Sequence, residues 1–167
     1  MEVSAFVRPK GATDHAAILD IARRLSMWFT AEGLDEIRRD LPSHRGFVAV
    51  REGIVVGFAT WNQLDAEVAN LSWMGVEEAQ RRRGIGTDLL AAVVDEVRRG
   101  GFRQLEVSTV ADSVDYAPYA DTRRFYRARG FHDYRVDIGY FGPPDDRYDR
   151  LLLRLDLGGS VSGTLRA

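Results

Sequence analysis

Cysteine is absent from this chain of 167 residues. Its absence removes disulfide frameworks, thiolate metal sites and a cysteine nucleophile together. Lysine is nearly absent: Lys10 is the only one, and arginine supplies the rest of the 23 basic side chains. That skew reads as coding bias of the kind a GC-rich bacterial genome produces. Histidine is scarce. His15, His44 and His132 stand far apart with no metal-ligand spacing, so no metal site is expected. No apolar run approaches the roughly 18 residues that span a bilayer, and no membrane partner is expected. The opening MEVSAFVRPK lacks the basic start and long apolar stretch of a secretory signal, so the expected location is the cytoplasm. An excess of positive charge is also missing. The formal net charge is -2, which gives no bias toward nucleic acid.

What is present suits one soluble domain with a core large enough to fold alone. A first strand is expected over 4–8. TDHAAILDIARRLSMWF follows, capped at Thr13 or Asp14, with Ile18, Ile21, Ala22, Leu25 and Trp28 at helical spacing. GLDEIRRDL reads as a second short helix ended by Pro42. GFVAVREGIVVGFATW reads as a hairpin turning at Gly53, and residues 67–76 as a fourth strand. GIGTDLLAAVVDEVRRGG is a helix whose apolar face is Ile85, Leu89, Leu90, Val93, Val94 and Val97. RQLEVSTV is a fifth strand, YADTRRFYRARGF a helix closed by Gly130, and two more strands follow. The fold class is therefore α/β, of the α+β type: a mixed central sheet of about seven strands with helices on both faces. The domain is expected over 1–157, with a polar tail, GGSVSGTLRA, over 158–167.

EEAQRRRGIG carries the functional signal. Arg81, Arg82 and Arg83 alone read as a solvated charge run. Gly84 and Gly86 change that reading, because they stand where a strand ends and an amphipathic helix begins. Glycine costs roughly 1 kcal/mol in a helix interior, so two in a first turn ask for a reason. The first turn exposes unpaired N–H groups and the positive end of the helix dipole. Residues without side chains let an anion reach that backbone. A dinucleotide fingerprint needs a third glycine where Leu89 stands, and a P-loop needs a lysine that is not there.

RRRGIG matches Arg/Gln-x-x-Gly-x-Gly/Ala, with Arg81 first, Gly84 fourth and Gly86 sixth. FYRARGF, residues 125–131, matches Tyr-x-x-x-Gly-Phe. Together the two motifs resemble the GNAT superfamily of N-acyltransferases, and the element order to about Leu157 suits it. A Thr122-x-x-Phe125-Tyr126 helix resembles one branch of that family.

The resemblance implies the GNAT fold, with the fourth strand splayed from the fifth and acetyl-CoA, or another short acyl-CoA, as co-substrate. The pantetheine arm would lie in the gap along Met74, Gly75 and Val76. Gly75 suits a bulge or a close approach there; the alternative is a plain strand edge. The pyrophosphate would sit on the amides of Arg81, Arg82, Arg83, Gly84, Ile85, Gly86 and Thr87, with the arginines adding charge. Thr87 adds a hydroxyl or caps the helix. Arg123 and Phe125 would flank the channel. Tyr126 matches the general acid that helps the thiolate leave, or else packs beneath the co-substrate. The base departs from the pattern: counting eleven residues back from Arg81 lands on Asn70, which accepts no proton at neutral pH. A water held by Asn70 with Glu67 behind it is the expected substitute.

The implied reaction moves an acetyl group to a primary amine of a small molecule or peptide, in a ternary complex. Trp28, Phe29, Tyr116, Tyr119, Tyr140 and Phe141 are candidate walls of the acceptor pocket. Asp112, Asp115, Asp121, Asp145 and Asp146 put negative charge on that side. A homodimer is the expected assembly. The competing reading keeps the fold and drops the chemistry: an acyl-CoA-binding sensor, favoured by Asn70. A nucleic-acid-binding domain built on the three arginines is disfavoured by the acidic balance.

Overall fold

The computed structural model describes residues 3–158; residues 159–167 of the expected tail lie outside the described residues. Seven strands and four α-helices alternate: β1 Phe6–Pro9, α1 His15–Arg24, α2 Ala31–Asp40, β2 Arg45–Arg51, β3 Ile54–Gln63, β4 Val68–Val76, α3 Ile85–Arg99, β5 Gln104–Val110, α4 Ala117–Ala128, β6 His132–Phe141 and β7 Tyr148–Asp156. The order matches the expected one. The strands form a single sheet, β1-β2-β3-β4-β5-β7-β6, in which β4 and β5 run parallel and every other neighbouring pair antiparallel.

Side-chain alternation along the strands feeds two cores, one on each face. Val48 and Val50 of β2 and Phe58 of β3 meet Ile18, Ile21 and Ala22 of α1 and Ile37 of α2. On the opposite face Ala49, Ala59, Leu71, Leu105 and Val107 meet Ile85, Leu89, Leu90, Val93 and Val97 of α3. These five α3 side chains are the expected face without Val94, which is only partly buried. Each aliphatic side chain buried this way stabilises the fold by about 1.5–3 kcal/mol. β2 and β3 are joined by Glu52 and Gly53, both at positive φ, the two-residue turn that matches strand twist.

The first helix is shorter than its periodicity suggests. It ends at Arg24, because Leu25 leaves the helical region (φ -91°, ψ 46°) and turns the chain back. Trp28 and Phe29 therefore lie on a linker between α1 and α2.

One irregularity shapes the sheet. Thr60 of β3 pairs with Trp73, but its neighbour Trp61 pairs with Leu71, so Ser72 is an extra residue on β4. A bulge of this kind bends its strand and increases the local twist. β4 and β5 accordingly pair only over residues 68–71 and 104–107. Beyond them β5 stays with β7 up to Val110, while β4 continues to Val76 beside β3 alone among the described residues. Gly75 is not the bulge residue, and its close neighbours are side chains. A methyl group there would stand 3.0 Å from Leu25 and Phe58, so bareness serves close packing, and the bulge sits three residues earlier. Among the described residues no helix is long and apolar enough to cross a membrane, and no cluster of acids and histidines could hold a metal ion.

Candidate functional site

The chain leaves β4 at Val76, makes a short turn, and enters α3 at Gly84. Gly84 sits at φ +80°, a left-handed conformation that costs a residue with a Cβ roughly 1–2 kcal/mol. This kink aims the first turn of α3 back toward the end of β4. The Asp88 amide donates to the Gly84 carbonyl at 3.0 Å, so the amides of Ile85, Gly86 and Thr87 precede the first helical donor and have no partner within the helix. Gly86 faces the Phe125 ring and the Met74 methyl. Backbone donors, positive dipole end and open space therefore coincide at one point.

From that point a cleft of about 1090 Å³ runs into the gap between β4 and β5. Met74, Gly75 and Val76 line one wall, Ser108 and Val110 of β5 another, and Phe125 and Tyr126 the floor. Glu77 donates its amide to Val56 on the β3 side at 2.9 Å. By strand alternation Met74 and Val76 turn their backbone groups the other way, into the gap. An extended chain carrying amides can bond to that edge as a strand would. The glycines, the open edge and the anion-binding turn fit an acyl-CoA: pyrophosphate at α3, pantetheine along β4.

The arginines divide. Arg81 lies over the Trp28 ring, its Cζ 4.2 Å from the centroid. Arg82, at φ +61°, lines the cleft, whereas Arg83 is not among the lining residues. Arg129 supplies a cation the sequence reading passed over, although it lies within FYRARGF. It stacks on Phe125 at 3.7 Å and donates to the Thr87 hydroxyl at 2.8 and 3.1 Å. Thr87 thus anchors Arg129, and the cap position belongs to Gly84.

Tyr126 is 6% exposed and meets Phe125 and Phe131 edge-on. Its ring belongs to the core, it lines the cleft, and its hydroxyl has no hydrogen-bond partner among the described residues. Burial pushes the phenol above its ordinary value, so it holds its proton as a donor must. Arg123 does not flank the channel. It is buried and donates to the carbonyls of Val110 and Ala111 at 2.8 and 3.2 Å and to Asp112 at 2.9 Å, tying α4 to the end of β5.

Glu67 and Asn70 are not brought to the cleft. Both lie where β4 and β5 are still paired or about to pair. The Glu67 side chain is exposed and 3.6 Å from Arg103, and Asn70 donates its amide to Asn62 at 2.9 Å. Counting back from the loop misses the bulge at Ser72, which shifts which residues meet the gap. The side chains that do reach its start come from outside the motifs. Ser72 Oγ is 2.9 Å from His44 Nδ1 and 2.9 Å from Thr60 Oγ1.

At the far end, Trp28, Phe29, Tyr119, Phe141 and Asp121 line the cleft as expected, whereas Tyr116, Tyr140, Asp112, Asp115, Asp145 and Asp146 do not. Asp112 is instead held by Arg127 and Arg123, which keep its carboxyl below the usual range. Trp73, Tyr148, Glu32 and Glu36 are additions the sequence reading did not single out. The α1–α2 linker and the start of α4 meet over this end. The Trp28 indole donates to the Pro118 carbonyl at 3.2 Å, and the hydroxyls of Tyr119 and Tyr116 donate to the carbonyls of Trp28 and Met27.

A family model described as the acetyltransferase (GNAT) family matches residues 15–131. No curated protein matches the chain. Among solved structures, a GNAT-family protein from Desulfovibrio desulfuricans is 24% identical over 93% of this chain and 100% of its own, with a TM-score of 0.80. The ribosomal-protein-S18-alanine N-acetyltransferase of Escherichia coli is 20% identical, over 96% and 98% of the two chains, at 0.76. A GNAT family acetyltransferase from Elizabethkingia anophelis, solved with acetyl-CoA bound, is 17% identical, over 91% and 97%, at 0.69. At these identities the likeness is one of fold.

Proposed function

The chain belongs to the acetyltransferase (GNAT) family, and on that premise we propose that it moves an acetyl group from acetyl-CoA to a primary amine of a small molecule or peptide by direct transfer in a ternary complex. Membership makes it an acyl-CoA-dependent N-acyltransferase. The observation that carries the finer reading is the continuity of one cleft from the bare first turn of α3, along the open edge of β4, to the Tyr126 hydroxyl.

The bound co-substrate supplies an acetyl thioester; the rest is asked of the chain. The amides of Ile85, Gly86 and Thr87 hold the pyrophosphate, with Arg82 and Arg129 beside them. Arg81, stacked on Trp28, frames the loop. The backbone of Met74 and Val76 holds the pantetheine arm in register, which places the reacting carbonyl at the splay. Tyr126 donates its phenolic proton where thiolate charge develops. No covalent enzyme intermediate is needed.

Glu32, Glu36 and Asp121 at the far end of the cleft favour a cationic acceptor, and the aromatic side chains around them give it an apolar wall. We also propose a homodimer paired through the edge strand β6, where Tyr134, Val136, Ile138 and Tyr140 are exposed.

The deciding experiment is thiol release from acetyl-CoA, and from longer acyl-CoAs, across a panel of amines. Turnover on at least one primary amine is expected. Tight CoA binding with no turnover on any would favour the sensor instead. Asn70 was the feature on its side, and its place outside the cleft takes that support away.

A further inference from the structure

An amine that arrives as an ammonium must lose a proton before it can attack, and among the described residues no carboxylate or imidazole lines the cleft at the splay. Glu32, Glu36 and Asp121 are acids of its rim, carried on α2 and α4. A polar side chain of β4 at the start of the gap is Ser72, the bulge residue, two positions before Met74. A serine hydroxyl alone is no base. Ser72, however, is the middle member of a chain. Thr60 Oγ1 lies 2.9 Å from Ser72 Oγ, Ser72 Oγ lies 2.9 Å from His44 Nδ1, and His44 Nε2 lies 3.9 Å from Asp40 Oδ1. The other Asp40 oxygen accepts the Trp73 indole N–H at 2.8 Å, which fixes the carboxylate.

We propose that His44 and Ser72 form the route by which the acceptor ammonium loses its proton. The inference rests on the transferase reading above. The direction of the hydrogen bonds follows from burial. Thr60 is fully buried, and Ser72 is the one acceptor its hydroxyl meets among the described residues. With Thr60 donating to Ser72, the Ser72 hydroxyl points its own proton at His44 Nδ1. That nitrogen is then bare, and the ring proton sits on Nε2, facing Asp40. In the reaction the ammonium N–H gives its proton to Ser72 Oγ as Ser72 passes its hydroxyl proton to Nδ1. Serine ends unchanged, the ring becomes an imidazolium beside Asp40, and the amine keeps its lone pair for attack. Once the product has left, Nδ1 returns its proton to Ser72 Oγ as Ser72 passes its own to water in the emptied cleft, which restores the Nε2–H ring.

The charged groups facing the ring are Asp40 from α2 and Lys10 from the segment after β1. β3 and β4 present the hydroxyls of Thr60 and Ser72. Burial lowers the His44 value most, Asp40 opposes it and Lys10 adds to it; the net is below the ordinary 6.5. A ring neutral at pH 7 is ready to take a proton, as a general base must be.

Two measurements test the route. The first needs no acceptor: ¹⁵N shifts of the imidazole nitrogens, in a chain with only three histidines, assigned with His44→Gln. The proposal expects a neutral His44 at pH 7.5 with the proton on Nε2. A proton on Nδ1, or an imidazolium, overturns it. The second uses whichever amine of the panel turns over. His44→Gln keeps a side chain that can accept from Ser72 but takes no proton. It is expected to lower kcat/KM at pH 7 by about 10²-fold, to remove the acidic limb of the pH profile, and to leave CoA affinity unchanged. Ser72→Ala is expected to do the same. A pH profile that His44→Gln leaves in place overturns the route, even if the rate falls. If no amine turns over while CoA binds, the transferase reading fails, and the tautomer still decides whether Ser72 and His44 are wired as described.

Discussion

Phe125 lies against the bare backbone of Gly86: a methyl group on that glycine would stand 3.5 Å from two of the ring carbons. That is ordinary contact, so Gly86→Ala is expected to bind CoA. Gly86→Leu has to push into the space where the first-turn amides meet an anion. It is expected to weaken CoA binding at least tenfold, about 1.4 kcal/mol, with thermal stability kept. Calorimetric titration with CoA checks both variants, and unchanged affinity in the leucine variant would remove the loop from the binding site.

Tyr126→Phe separates a proton donor from a packing ring. The ring contacts with Phe125 and Phe131 survive the change. Turnover should fall by up to about 10²-fold while CoA affinity stays within about twofold. Because burial raises the phenol above 10, the wild-type profile should show no basic limb from this residue below pH 10. A parallel loss of affinity and rate would make Tyr126 a binding residue.

Arg123 is expected to act on stability instead. Arg123→Ala takes the side-chain donor from the buried Val110 carbonyl, leaves the Ala111 carbonyl with the Val114 amide only, and leaves Asp112 with Arg127 alone. The cost should be about 2–3 kcal/mol, read as a lower Tm. At temperatures where the variant is folded, CoA affinity should match wild type.

Glu67→Gln and Asn70→Ala should change kcat/KM by less than about threefold, as substitutions away from a site usually do. A loss near that of His44→Gln would return the base to the start of β4.

A titration outside the cleft gives a stability test. Asp14 accepts two hydrogen bonds from Arg8, each at 2.9 Å, and one from the Gly11 amide at 2.8 Å. The Arg8 bonds, then the Gly11 bond, hold its carboxyl below the usual range against the opposing effect of burial. The unfolded chain therefore takes up the proton first. The stabilisation is whole above about pH 4 and is lost as the pH falls through the lower folded value. Asp14→Asn should lower Tm at pH 7 and flatten its fall between about pH 4 and pH 2. Melting curves over that range would show an unchanged slope if Asp14 were uninvolved.

Much of this was legible in the residues because the signals were local. Helical spacing in α3, strand alternation and a glycine pair at a strand–helix junction are all carried by neighbours in the chain. The failures share the opposite property. Arg123 looked like a channel residue by its place in the motif, but carbonyls some dozen positions earlier claim it. Asn70 was found by counting, and a count cannot see one extra residue on β4. His44 carries no motif at all; 28 positions separate it from the serine it meets. Trp28 belonged to a helical period that the chain abandons at Leu25 to reach α4.

The short pairing of β4 with β5 has a mechanical meaning. Among the described residues, four paired positions, with the Arg103 and Gln104 amides on the Glu67 carbonyl beside them, join β1-β2-β3-β4 to β5-β7-β6 along their shared seam. A ligand laid in the rest of that seam acts as a removable strand, completing the ladder from Ser72 to Val76. Binding should then do more than fill a hole. It should fuse two half-sheets into one cooperative unit, slow amide exchange on both sides of the seam, and loosen it again when the spent co-substrate leaves.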